Sequence, residues 1–286
     1  MKIVVIGGGG FLGRRILTRL VTTENQLYAL VLREPLDPIP SCEYILMKDF
    51  YGNLGLDNVK FDVIINVAMK RSTKEQTLSD SELNDSNFRT PLEVFRRKSS
   101  KDTLVINTST YIQNYSGEIG NTVEKYGASK ELLSKSLKSD AEFGLYNVVD
   151  LFLFTLYGPG DRKSHLVPLL LSSIRHSSKL ELSQGDQLIH LLYVDDAVDN
   201  IVETLAITSP GYNPYCLWND DYVSVKQLVK KIEDVFKVDL CVEWGAKEYA
   251  GHEMFTPWER PFEKFPNTLA RTSLEEGLIQ TYKSII

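Results

Sequence analysis

The chain has 286 residues, 43% hydrophobic and 24% charged, enough for one large α/β unit or a core domain with a lobe. Its 32 basic and 38 acidic side chains leave a formal charge of −6, which argues against a nucleic-acid or anionic-membrane surface as its main business. Three scattered cysteines (Cys42, Cys216, Cys241), four histidines without an i,i+4 pair and no long apolar run point to reduced thiols, no metal site and no membrane span.

Lys2 to Ile6 reads as a short apolar strand starting so early that no signal peptide is expected before it, and a soluble, cytoplasmic protein follows from that. Gly7-Gly8-Gly9-Gly10, Phe11, Leu12 and Gly13 come next, then an amphipathic run from Arg14 to Val21. Strand, glycine turn and helix form the context in which a Gly7-x-x-Gly10-x-x-Gly13 spacing binds a dinucleotide. Gly7 can take the positive φ of a sharp turn, Gly10 lets a pyrophosphate approach the backbone, and Gly13 permits close helix packing. The N–H groups of the first helical turn, where Phe11 and Leu12 lie, then face the phosphates.

Leu27 to Leu32 reads as a second strand ending in Arg33, where folds that prefer NAD usually place an acid. A basic residue there suits a 2′-phosphate, favouring NADP(H); Glu34 follows at once, so a solvated Arg33 and NAD(H) stay open. Tyr44 to Met47 reads as a third strand closed by Asp49-Phe50, a pair able to hold an adenine edge and face, or simply a turn. Phe61 to Ala68 is a fourth, near-continuously apolar strand that brings Asn66 and Ala68 to the carboxyl edge of a parallel sheet. Residues 70–82 read as a polar loop, and Asn84 to Lys98 as a helix with Pro91 awkward in its interior.

Thr103 to Thr108 is a fifth strand leading into Ser109, Thr110 and Tyr111, followed by turn-rich residues 112–123. Glu124 to Leu137 reads as a helix carrying Tyr126 and Lys130, one turn apart on one face. An ammonium beside a phenol lowers a pKa that starts at about 10, as a tyrosine that passes a proton at neutral pH requires. Tyr146 to Phe154 is a sixth strand; Ser164 to His176 a helix; Leu180 to Leu182, Leu191 to Tyr193 and Leu240 to Trp244 short strands. Asp195 or Asp196 is expected to cap a helix through Ile207, and Ser224 one from Val225 to Phe236. The expected fold is α/β: a doubly wound parallel Rossmann sheet over 1–160, rejoined by part of 188–208, with a smaller discontinuous α/β lobe mainly over 161–286.

These features resemble the extended short-chain dehydrogenase/reductase family of nucleotide-sugar epimerases, dehydratases and ketoreductases. The resemblance rests on Gly7-x-x-Gly10-Phe11-x-Gly13, Asn66-x-Ala68, the serine of the fifth strand, Tyr126-Gly-Ala-Ser-Lys130, Tyr157-Gly-Pro-Gly160, Tyr193-Val-Asp-Asp196 and Thr272-Ser-Leu-Glu-Glu-Gly-Leu278, in the family's order along nearly the whole chain. It implies Tyr126 as general acid or base and Lys130 as its partner and a ligand of the nicotinamide ribose. It also implies Ser109, with Thr110 as fallback, as the hydroxyl on the substrate oxygen. Tyr111, Thr155, His190 and Arg260 are the implied substrate contacts.

The departures are specific. Gln113-Asn114 stand where the family has Tyr-Gly, Phe152 replaces an arginine, and Ile189-His190 replace the Arg-Asp that often meets the nucleotide phosphates. Within the family, Arg33 and the short length resemble the CDP- or dTDP-deoxysugar 4-ketoreductases of O-antigen biosynthesis, implying NADPH-dependent reduction of a nucleotide-linked 4-keto-6-deoxyhexose. The alternatives are an epimerase holding NAD and a non-catalytic cofactor-binding relative. A homodimer through 84–98 and 124–137 is implied too, with Leu92, Phe95, Leu132 and Leu133 as compatible apolar positions, although packing on the sheet explains them equally.

Overall fold

The computed structural model describes residues 1–21, 24–52, 58–72, 76–114, 124–176, 179–217, 222–250, 253–266 and 272–286. Strand β1 (Lys2–Ile6) passes through the glycine turn into α1 (Phe11–Leu20), followed by β2 (Gln26–Val31), β3 (Cys42–Leu46), a 3-10 turn at Met47–Gly52 and β4 (Val63–Asn66). Helix α2 (Asp80–Asn84) runs through a π turn at Asp85–Arg89 into α3 (Thr90–Lys98); β5 (Leu104–Thr110), a 3-10 turn at Tyr111–Asn114, α4 (Lys125–Glu142) and β6 (Asn147–Leu153) follow. The rest comprises β7 (Thr155–Tyr157), α5 (Leu166–His176), β8 (Leu180–Glu181), β9 (Leu188–Tyr193), α6 (Val194–Glu203), β10 (Tyr212–Leu217), β11 (Tyr222–Ser224), α7 (Val225–Phe236), β12 (Val242–Glu243) and α8 (Leu274–Lys283).

Seven strands form one parallel sheet in the order β10-β6-β5-β4-β1-β2-β3. Apolar side chains cover both faces. Ile3, Val5, Ile65, Ile106 and Val149 pack with α1 and α6 on one side, while Val4, Ile64, Val105 and Val148 pack with α3 and α4 on the other. This two-sided burial explains why β1 and β4 read as unbroken apolar runs. Strand order reverses between β1 and β4, and the crevice above that switch point is where open α/β sheets bind ligands.

The chain rejoins the main sheet more extensively than 188–208 suggests. α6 packs on the α1 face, and Tyr212–Leu217 is the seventh strand. As an edge strand β10 carries Pro214; at Cys216, two residues on, the N–H donates to Glu263 O and the carbonyl accepts from the Phe265 N–H. The lobe has its own core of Val167, Leu170, Leu171, Leu228, Val229, Ile232 and Leu278, which joins α5, α7 and α8 to the β7-β9-β11 sheet through Tyr157 and Tyr193.

The expected helix over 84–98 begins earlier, inside the expected loop, at a capping box formed by Ser79 and Glu82. Pro91 is accommodated by the π turn before it. The Thr90 N–H donates to Asp85 O, five residues back, and that wider turn relieves the clash a proline ring makes with the carbonyl four residues earlier. Leu92, Phe95 and Leu133 are buried in this chain's own core and only Leu132 is exposed, so monomer packing accounts for three of the four positions offered for a dimer. Ser224 caps α7, as read from the sequence, and the structure adds a capping box with Gln227. Asp195 and Asp196, by contrast, lie in the first turn of α6, whose N-cap is Tyr193 and has no side-chain cap. Asp195 pairs with Arg15 on α1 at 3.1 Å, and Asp196 accepts the Thr272 N–H and hydroxyl at 3.0 Å each. Both are tied to distant elements.

Helices α3 and α4 are joined by one polar clamp. Arg96 donates from Nε and Nη2 to the two Asp140 oxygens at 2.8 Å each, and the Tyr146 hydroxyl donates to the same carboxylate at 2.6 Å. Burial alone would raise the Asp140 carboxyl, but the bonds from Arg96 and Tyr146 outweigh it and hold the group below its ordinary 3.8. Because the folded-state value is depressed, this stabilisation is complete above the unfolded value and fades as pH falls below 3.8. Asp140→Ala should therefore cost about 2 to 4 kcal/mol at neutral pH, measured by chemical unfolding, and the cost should shrink below pH 4.

Candidate active site

The glycine turn has the geometry a dinucleotide needs. Gly7 adopts φ +86°, and a Cβ there would come within 2.9 Å of the Ala68 nitrogen, so β1 and the end of β4 meet at the switch point without side chains between them. A Cβ on Gly13 would fall on the Gly7 carbonyl oxygen, which is why the helix must open with glycine at that position. Helix α1 starts after Gly10 with no side-chain cap and no acidic residue in its first turn, leaving its N–H groups and positive dipole end to an anion. These residues fit a dinucleotide pyrophosphate. Arg33 lies exposed just beyond β2, and Asp49 is exposed as well. Phe50 does not fit its expected part: it is only 2% exposed, packed in the core against Lys98, and offers no face to an adenine.

Asn66 is also committed internally. Fully buried, it donates to Asn107 Oδ1 at 2.8 Å and accepts the Ala68 N–H at 3.2 Å. That bond is one rung of a polar ladder crossing four adjacent strands. Asn107 donates on to Asp150 Oδ1 at 2.8 Å and to Ser109 Oγ at 3.1 Å. Ser109 donates to Asp150 Oδ1 at 2.6 Å and lies 3.0 Å from Ser134 Oγ on α4; the Tyr212 hydroxyl donates to Asp150 Oδ2 at 2.8 Å.

This ladder engages Ser109, the residue expected to offer the substrate hydroxyl. Ser109 is in β5, its side chain points to the α4 side, and its only proton is engaged by Asp150. Strand alternation puts Thr108 and Thr110 on the other face. The Thr108 hydroxyl donates to Asn66 O at 2.9 Å, whereas Thr110 Oγ1 has only a long 3.5 Å bond from the Ile112 N–H. Thr110 keeps a hydroxyl proton to offer.

Tyr126 and Lys130 share the buried start of α4. Lys130 Nζ donates to Ala68 O at 3.1 Å and Thr108 O at 3.0 Å, which sets the ammonium between the ends of β4 and β5, next to the glycine turn. Burial lowers its pKa to about 8, against the pull of Asp150 in the other direction. Tyr126 departs from the expected lowering. Burial pushes its phenol well up, Arg71 opposes the rise, and Glu124 and Tyr111 add to it.

Arg71 and Glu124 are the site neighbours that spacing alone misses. Arg71 Nη2 donates to both Glu124 oxygens, at 2.7 and 2.8 Å, and the guanidinium stands over the Tyr126 ring, 5.6 Å from its centroid. The sequence signal was slight: a basic residue three places after Ala68 and an acid two places before Tyr126.

On the lobe side, Tyr111 stacks on Phe154 at 5.1 Å with rings nearly parallel, and Trp258 meets both edge-on. Exposed Thr155 shares a hydrogen bond with the Tyr111 side chain, which burial raises to about 12. His190 is 1% exposed and tilted against Phe154 at 4.2 Å, within the aromatic packing. Phe152, at the family's arginine position, packs on Phe262. Arg260 is exposed beside Tyr222. Phe154, Tyr222 and Trp258 were not singled out from sequence, because apolar residues in and after strands carry no local sign of the aromatic cluster they join.

A family model described as "NAD dependent epimerase/dehydratase family" matches residues 3–213. The chain belongs to this family. It is therefore an NAD(P)-dependent enzyme of the extended short-chain dehydrogenase/reductase type. Among curated family relatives, a CDP-abequose synthase of Yersinia pseudotuberculosis is 25% identical over 271 residues, covering 90% of this chain and 92% of its own. Among solved structures, a UDP-N-acetylglucosamine 4-epimerase from Methanobrevibacter ruminantium superposes with a TM-score of 0.82 at 18% identity, covering 99% of this chain and 97% of its own. A UDP-glucuronic acid 4-epimerase from Bacillus cereus, in complex with UDP-glucuronic acid and NAD, gives 0.79 at 17% identity, covering 100% and 99%. These two share the fold.

Gly13→Ala tests the turn. The added methyl meets backbone, so it should cost about 1–3 kcal/mol of stability and weaken NAD(P)H binding about tenfold or more, read by thermal melting and by cofactor fluorescence titration.

Proposed function

We propose that the enzyme reduces the 4-keto group of a nucleotide-linked deoxysugar, of the CDP- or dTDP-4-keto-6-deoxyhexose type, using NADPH. The observation that carries this reading is the joint presence of Tyr126 and Lys130 beside the glycine turn in a chain similar, over nine-tenths of its length, to a CDP-abequose synthase. An exposed Arg33 after β2, with no acid at the end of that strand, favours a 2′-phosphate and so a dissociable NADPH. A polysaccharide O-antigen sugar pathway in the cytoplasm is the setting this activity suits.

When bound, NADPH supplies the hydride that reaches the carbonyl carbon. The residues handle the oxygen. Thr110 donates its hydroxyl proton in a hydrogen bond to the carbonyl, so polarising it. Tyr126 then transfers its proton: the phenol O–H breaks as the O–H of the product alcohol forms. Lys130, seated on the Ala68 and Thr108 carbonyls, would hold the nicotinamide ribose. On the substrate side, Arg260 offers an exposed positive charge for the diphosphate, while Ile189 stands where the family often has a phosphate-contacting arginine. Tyr111 and the aromatic group behind it line an apolar wall suited to a sugar that has lost hydroxyls.

The test is NADPH oxidation with CDP- and dTDP-4-keto-6-deoxyhexoses. Tyr126→Phe should lower kcat by about 10²- to 10⁴-fold. Thr110→Ala should lower it about 10²-fold, whereas Ser109→Ala should act mainly on thermal stability. Protein that arrives with NAD held tightly and oxidises no NADPH would point to an epimerase. In a separate titration, Arg33→Ala should reduce the preference for NADPH over NADH about tenfold or more.

A further inference from the structure

The family pattern assigns the tyrosine's positive partner to the lysine one turn away, yet in this chain the Lys130 ammonium is anchored to two carbonyls at the ends of β4 and β5. The guanidinium nearest the Tyr126 ring belongs instead to Arg71, in the segment after β4. Its placement is built by two separate ties. On one side, Arg71 bonds both oxygens of Glu124, the residue immediately before the helix that carries Tyr126. On the other, buried Asn87 in the π turn grips the backbone of Lys70, accepting its N–H and donating to its carbonyl at 2.7 Å each. Asn87 also donates to Ser129 Oγ at 3.0 Å, and Ser129 donates to the Tyr126 carbonyl at 2.7 Å. The backbone before Arg71 and the backbone of Tyr126 are thus linked through one asparagine and one serine. This is also a use for the π turn beyond accommodating Pro91, and such turns gather at functional sites.

We propose that Arg71 is a second positive charge, in addition to Lys130, against which Tyr126 transfers its proton, and that Glu124 and Asn87 are positioning residues that hold it there. The inference rests on the reading of Tyr126 as the proton donor. Among the described residues, Arg71 from the segment after β4, Tyr111 from the turn after β5 and Glu124 from the cap of its own helix act on Tyr126, and Lys130 follows one turn on. Arg71 favours the phenolate that forms as the proton leaves; Glu124 disfavours it while fixing the guanidinium in place. The two members of one ion pair therefore act on Tyr126 with opposite signs. A merely structural strap would not.

The opposition supplies the test. In full-length protein saturated with NADP⁺, Tyr126 is followed by NMR of ring-labelled tyrosine, its resonance assigned by loss in Tyr126→Phe. Arg71→Met should raise the titration of Tyr126 by about one pH unit or more, Arg71→Lys should keep it close to the parent value, and Glu124→Gln should lower it. The tyrosine-dependent limb of the kcat/KM pH profile should move in the same directions. An unchanged titration in Arg71→Met, or a shift of the same sign in Arg71→Met and Glu124→Gln, would overturn the proposal. A parent enzyme that turns over no keto-sugar nucleotide would remove the reductase reading, while the titration still decides the role of Arg71.

Discussion

Asp150 is a carboxyl group with no exposed surface in the middle of a seven-stranded sheet, a position that costs several kcal/mol unless its oxygens are satisfied. Asn107, Ser109 and Tyr212 satisfy them from the strands on either side. Much of the site follows from that one arrangement. Ser109 is drawn into the scaffold, and Thr110 lies on the opposite face of β5. Asn107 passes the constraint to Asn66, whose other arm fixes the Ala68 backbone beside Gly7. Lys130 lies on the same Ala68 and within the field of Asp150, which resists the loss of its charge on burial. A polar ladder of this kind makes the carboxyl edge of the sheet stiff in the direction across the strands, where cofactor and substrate must be held in register with each other.

How much of this was legible depended on whether the signal was local. The β1–glycine–α1 unit could be read because each glycine has its own steric reason, and Ser224 because a cap lies directly before its helix. The chemistry at Tyr126 and Lys130 was legible as spacing, but its electrostatics was not. Arg71 is fifty-five positions from the phenol, and its effect exists only once β4 and α4 are neighbours. Ser109 against Thr110 was a question of strand face, where a one-residue shift exchanges inside for outside. Sequence places β5 to within a residue or two, which is not enough to decide it. Asp195 and Asp196 looked like caps because acids at a helix start usually are. Their partners, Arg15 and Thr272, are 180 and 76 residues away.

The lobe follows a different logic from the core. Phe152, where the family usually has an arginine, and His190 are buried in a cluster of stacked and edge-on rings with Phe154, Tyr222, Trp258 and Phe262. The segment from Met254 to Phe265 is laid across this cluster: Met254 O accepts from the Leu188 N–H, the Trp258 indole donates to Asn114 O, and Glu263 to Phe265 bracket Cys216. Aromatic contact holds that segment against both core and lobe, and charge on this wall of the cleft is confined to exposed positions such as Arg260.

Pro214 has a consequence at the other end of the sheet. In β10 the Cys216 N–H points away from β6, toward Glu263, and Pro214, two residues earlier, occupies the same outward phase of the strand. The residue that lacks an N–H thus sits where its absence breaks no bond to β6. It also denies a donor to any foreign strand that might align there, and the adjacent outward groups at Cys216 are already taken. This margin of the sheet is sealed against growth by addition of another chain, a protection against edge-to-edge aggregation written into two positions of one strand.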